Sequence, residues 1–141
     1  MKKSMFALLA MLLLMCVSAQ ANDRVITFDL LPQSAQTLVK THFADKVPLI
    51  ITADYDDYEI LFESGEKVEF SRKGEWKDIE CKTSAVPVAL IPEQIKASIA
   101  KSFPAATIVC ISRDRRGYEV ELNNGLDVEF NKKFQVIEID N

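Results

Sequence analysis

The spacing of apolar positions changes from helical to alternating, and it does so twice. Leu31, Ala35, Leu38, Val39 and Phe43 recur at the spacing of one helix face, and Ile91, Ile95, Ile99 and Phe103 repeat it. Pro32 and Pro92 suit the first helical position, where a missing N–H costs nothing. Pro104 cannot continue the second helix. Each helical stretch is followed by strands. Leu49–Thr52 and Val109–Ser112 are apolar and β-branched. Tyr58, Ile60 and Phe62 then alternate with Glu59, Leu61 and Glu63, and Tyr118, Val120 and Leu122 follow the same rule. Val68 and Phe70, matched by Val128 and Phe130, mark third strands. Ile79 and Cys81, and later Ile137 and Ile139, mark inward positions of the fourth. The pattern predicts one helix plus a four-stranded antiparallel meander, made twice.

Side-chain parity constrains the turns, because a one-residue slip exchanges the faces of a strand. Phe62 and Val68 are both expected to face inward, which requires an odd loop between them. Ser64-Gly65-Glu66 meets this with Gly65 at the left-handed position, and Asn123-Asn124-Gly125-Leu126 allows the same solution. The next turn is then even, and Lys73-Gly74 fits two residues. Lys133-Phe134 lacks the glycine, so a longer or relaxed turn is expected there.

The doubling is visible in the residues. Shifting the chain by 60 aligns Leu31–Cys81 with Ile91–Asn141 without a gap, and 12 of 51 pairs are identical. Roughly three identities would arise by chance, so the alignment reads as two copies of one supersecondary unit. About 50 residues form a marginal core alone, so the copies are expected to pack as one structural domain. The expected organisation is an export signal at residues 1–21, a first repeat at 22–81, a linker at 82–90 and a second repeat at 91–141.

The export signal rests on Lys2 and Lys3, the apolar run Met5 to Met15 and the small-x-small site Ala19-Gln20-Ala21. That run is too short to span a bilayer. Cleavage after Ala21 would start the mature chain at Asn22 in a periplasmic or secreted location, with no membrane insertion afterwards. Cys16 loosely suggests a lipoprotein, but Met15 is too large for the residue before a lipidated cysteine. Removing the signal takes two lysines and no acid, which moves the net charge from −4 to −6. An acidic exported chain is a poor nucleic-acid binder, because phosphate contacts need clustered cations. The four glycines are scattered and form no nucleotide loop.

These repeated residues resemble the PepSY-like, or β-lactamase-inhibitor-like, family. The resemblance is carried by Leu31-Pro32 and Ile91-Pro92, Phe43 and Phe103-Pro104, Tyr58-Glu59 and Tyr118-Glu119. Gly65-x-x-Val68-Glu69-Phe70, Gly125-x-x-Val128-Glu129-Phe130 and Lys73-Gly74-Glu75-Trp76 complete it. It implies small exported bacterial proteins of α+β fold, with tandem units whose sheets join into one curved surface. Inhibition of hydrolases is attributed to structural relatives. Phe134 stands where glycine is usual, and Ala44 where a proline would follow the helix. The resemblance carries no catalytic residue and no cofactor.

With the inward set fixed, the outward set holds eleven acids and Lys67. Glu59, Glu69, Asp78, Glu119, Glu121, Glu129 and Glu138 are among the acids, and Glu121 is expected opposite Glu129. Trp76 is expected among them as an aromatic anchor for a protein partner with a basic patch. The bland alternative is a solvated acidic face with Trp76 packed under the linker. The first hairpin loops carry opposite charge, Asp54-Tyr55-Asp56-Asp57 against Arg113-Asp114-Arg115-Arg116. Tyr55, Arg113, Arg115 and Arg116 are candidate contacts, and turn capping by Asp54 and Asp114 is the plainer account. The Asp54 cluster lacks the glycine and distal glutamate of a calcium loop. His42 has no partner for metal or triad chemistry. Cys81 and Cys110 are able to pair in an oxidising compartment, but alternation points them to opposite faces. The sequence therefore indicates a non-catalytic binding protein, with inhibition of an envelope peptidase or other hydrolase as its sharper form. A small-ligand or peptide carrier and a self-associating envelope protein are the alternatives.

Overall fold

The computed structural model describes residues 23–141. The expected export signal and its cleavage site lie outside the described residues. Among the described residues nine strands form one open antiparallel sheet, ordered as they occur in the chain. They are β1 (Arg24–Val25), β2 (Pro48–Ala53), β3 (Asp57–Phe62), β4 (Lys67–Ser71), β5 (Trp76–Glu80), β6 (Ile108–Asp114), β7 (Gly117–Leu122), β8 (Asp127–Asn131) and β9 (Val136–Asp140). Helix α1 (Gln33–His42) precedes β2, and α2 (Glu93–Ser102) precedes β6. Short 3-10 turns at Phe28–Leu30 and Val88–Leu90 lead into the helices. Neither these turns nor β1 was expected from periodicity, since two or three residues carry no period.

Ala35 and Val39 of α1 and Ile95 and Ile99 of α2 bury on the same sheet face, against Ile60, Phe62, Val68, Phe70, Ile111, Val120 and Phe130. Phe43 stacks on Phe62 with ring centroids 5.3 Å apart. Each proline sits one position earlier than expected. Pro32 and Pro92 are N-caps with extended ψ of 146° and 138°, and their carbonyls accept the first helical N–H groups, from Gln36 and Lys96.

The turns differ from expectation in register. Ile60 pairs with Val68, and Phe62 N–H donates to the Glu66 carbonyl, so the three-residue loop is Glu63-Ser64-Gly65. It has the expected odd length but begins one residue earlier. In the second half Glu119 therefore faces Glu129 and Glu121 faces Asp127, rather than Glu121 facing Glu129. The shift also carries Glu66 into the interior, where it is 2 % exposed.

The β4–β5 turn has three residues, Arg72-Lys73-Gly74, closed by Ser71 N–H to the Glu75 carbonyl. Parity is restored by a bulge, not by an even turn: Phe70 pairs with Trp76 while Glu69 pairs with Asp78, leaving Lys77 as the extra residue. The second half repeats the bulge between Phe130–Val136 and Glu129–Glu138. Phe134 takes glycine's place in an equally short turn at φ 61°, so no longer turn forms. Its ring stacks on Tyr118 at 5.5 Å, and the Asn131 carboxamide oxygen accepts from the N–H groups of Lys133 and Gln135.

Candidate functional site

The face opposite the helices is built from the outward residues of every long strand. Register places them in two rows. One runs Thr52, Glu59, Glu69, Asp78, Ser112, Glu119, Glu129, Glu138. Its neighbour runs Ile50, Leu61, Lys67, Glu80, Cys110, Glu121, Asp127, Asp140. Ten of the eleven carboxylates expected on this face are there, and Glu63 lies instead in the hairpin loop. Trp76 is not on this face. The bulge after it turns its side chain to the helix side, where it is buried in the main core. Arg113 caps the indole at 3.9 Å, and its Nε donates to the Trp76 carbonyl at 2.7 Å. Arg113 is thus a strand residue at the core edge, and not part of the loop itself.

The other loop residues follow turn chemistry. Asp54 Oδ1 accepts from the N–H groups of Asp56 and Asp57, and Asp114 Oδ1 from that of Arg116. Arg116 also reaches Asp114 at 3.1 Å, and its backbone N–H and then its side chain outweigh burial to hold that carboxyl below its usual range. Tyr55 and Arg115 are exposed.

The two halves of the acidic face differ in charge. In the first, Lys67 meets Glu80 at 3.7 Å, and Lys77 meets Asp57 at 2.7 Å and Glu69 at 3.6 Å. Lys77 was missed by alternation because the bulge alone brings it to this side. In the second, the rows contain Glu119, Glu121, Asp127, Glu129, Glu138 and Asp140 and no lysine or arginine.

Asp78 lies at the centre of the sheet, 7 % exposed, with Oδ1 lacking a hydrogen-bond partner. Burial, then the charges of Glu80 and Glu69, push its carboxyl up to about 7. Burial also raises Glu69, reinforced by Asp57 and opposed by Lys77. Burial raises Glu59 too, against the pull of Lys67. Glu66, on the other face, goes the opposite way. Its burial is outweighed by hydrogen bonds from Ser64, from its own backbone, from Ser84 and from Lys46, which bring it down to about 2. The residue 60 positions on is Leu126.

Cys81 belongs to the main core, while Cys110 packs with Val109 on the other side of the sheet, and both are thiols. Burial pushes Cys81 up to about 11 and raises Cys110 as well, which suppresses thiolate chemistry. Among the described residues no group of three or more His, Cys, Asp or Glu side chains is arranged to hold a metal ion. Nor is any helix there long and apolar enough to cross a membrane.

Residues 17–65 and 56–138 match the family model described as "Putative beta-lactamase-inhibitor-like, PepSY-like". Three solved structures are similar. A "putative periplasmic protein" of the DUF2874 family from Bacteroides vulgatus is 42 % identical, with TM-score 0.83, over 87 % of this chain and all of that one. A "putative calcium-regulated periplasmic protein" from Bacteroides thetaiotaomicron is 39 % identical, with TM-score 0.82, over 84 % and 97 %. A second Bacteroides vulgatus protein, described as periplasmic and of unknown function, is 30 % identical, with TM-score 0.80, over 84 % and 99 %. No curated protein matches the chain.

Proposed function

Because the chain belongs to the PepSY-like, β-lactamase-inhibitor-like family, we propose that it is an exported, non-catalytic binding protein of the cell envelope. Its open sheet face receives a basic segment of another protein. The observation that carries this reading is the six-carboxylate patch on β7–β9. Like charges directly opposite one another destabilise a sheet, and here Glu129 stands between Glu119 and Glu138 on neighbouring strands. A cationic partner would relieve the repulsion in the second half and be steered to it. The two halves, in this reading, are copies of one helix-and-meander unit.

Inhibition of an envelope peptidase or other hydrolase is the sharper form, and it draws only on the family description. The relative described as calcium-regulated suggests a modulator. With no built ion site among the described residues, calcium here would act by screening the patch.

The test is affinity capture from the native envelope with the wild-type chain and with Glu119→Gln, Glu121→Gln, Glu129→Gln combined. The wild type should retain a basic protein at low salt that the triple variant loses by tenfold or more. Identical captured sets would remove the face as a docking site.

A further inference from the structure

The two edges of the sheet are unlike, and the junction inside the sheet explains what each lacks. β5 hands over to β6 through Asp78 opposite Ser112, Ile79 opposite Ile111 and Glu80 opposite Cys110. Sixty residues on, β9 carries Glu138, Ile139 and Asp140 at the same places, and no strand follows among the described residues. Ile79 is fully buried, whereas Ile139 is 52 % exposed. At the far edge β2 is the counterpart of β6, with Thr52, Ile51 and Ile50 for Ser112, Ile111 and Cys110. There the place of β5 is taken by β1. Val25 lies opposite Thr52, and Ile26 N–H donates to the Ile51 carbonyl at 2.9 Å. Both residues of β1 are exposed, and Leu49 and Ile50 beyond it remain exposed too.

We infer that β1 is a removable plug, and that β9 of one copy adds to β2 of a second copy when β1 leaves. This rests on the reading that the halves are copies of one unit, but it uses the backbone edges of the sheet and not docking on its acidic face. The added strand reproduces the β5–β6 junction: Glu138 meets Thr52 of the second copy, Ile139 meets its Ile51, and Asp140 meets its Ile50. No acid faces an acid. A symmetric contact through β9 alone, with Ile139 against Ile139, places Glu138 opposite Asp140 twice, which like-charge repulsion disfavours. A head-to-tail contact closes into a ring where its rotation allows and otherwise continues as an open chain. A short self-pairing strand is one way a protein keeps such an edge silent.

The test uses the chain from Asn22 and the same chain begun at Thr27, each carrying either T52C or E138C. Under mild oxidation, a mixture of the two single variants should form a covalent dimer, at least tenfold more of it without β1. Neither variant alone should do so. In sedimentation the chain begun at Thr27 should form concentration-dependent oligomers, and Ile139→Lys should return it to monomer. If that shortened chain does not melt cooperatively, Ile26→Pro in the longer chain, which removes the bond to Ile51, replaces it in every arm. Self-linking of E138C, or a folded chain lacking the plug that stays monomeric, overturns the inference. Neither result decides the docking reading, because capture by Glu119, Glu121 and Glu129 is read separately.

Discussion

Asp78 and Glu66 show how much a single carboxyl depends on which side of the sheet it occupies. Asp78 is held up to about 7 by burial among other acids. Its protonated form is favoured by folding, so it contributes stability in full below pH ~4 and loses it as pH rises through about 7. Asp78→Asn should therefore be more stable than wild type at pH 8, by on the order of 1–3 kcal/mol, and nearly equal to it at pH 4. Urea unfolding at the two pH values measures this, and an equal difference at both would contradict it. Glu66 acts in the other window. Its carboxylate is favoured by folding, so its contribution is present above pH ~4.5 and lost as pH falls toward 2. The acids of the outer face were legible in the sequence because strand alternation alone assigns them. Glu66 was not, because its position depends on where the hairpin loop begins, and parity fixes only whether that loop is odd.

At the scale of the element, the strands were readable and the joints between them were not. Alternation in Tyr58–Phe62 and Tyr118–Leu122 located β3 and β7 to within a residue. The same rule misplaced Trp76, because it assigned a change of parity to the turn when a bulge supplies it. A bulge leaves no residue signature here: Lys77 and Ile137 occupy the two equivalent sites and share no chemistry. The turn after β8 gives a clean test of backbone strain. Phe134 holds φ 61° and is anchored by Tyr118. Phe134→Gly and Phe134→Ala both lose the ring, but only alanine keeps the strain. Glycine should leave the protein more stable than alanine by about 1 kcal/mol in chemical denaturation. Equal stabilities would mean that the left-handed turn relaxes when the ring is gone.

Over the whole molecule, one covered face and one wet face follow from the amphipathic period of two helices and eight long strands. The sequence revealed that division. It placed Lys67 among the first-half acids but not Lys77, which only the bulge brings to this face. The function proposed depends on the β7–β9 acids meeting a partner. Carbodiimide labelling of carboxylates, read by mass spectrometry, examines it most directly. In the isolated chain Glu119, Glu121, Glu129 and Glu138 should be modified readily, and in the complex captured from the envelope they should be protected at least fivefold while Glu63 and Glu93 are not. Labelling of the β7–β9 acids that is the same with and without the captured partner would contradict the account.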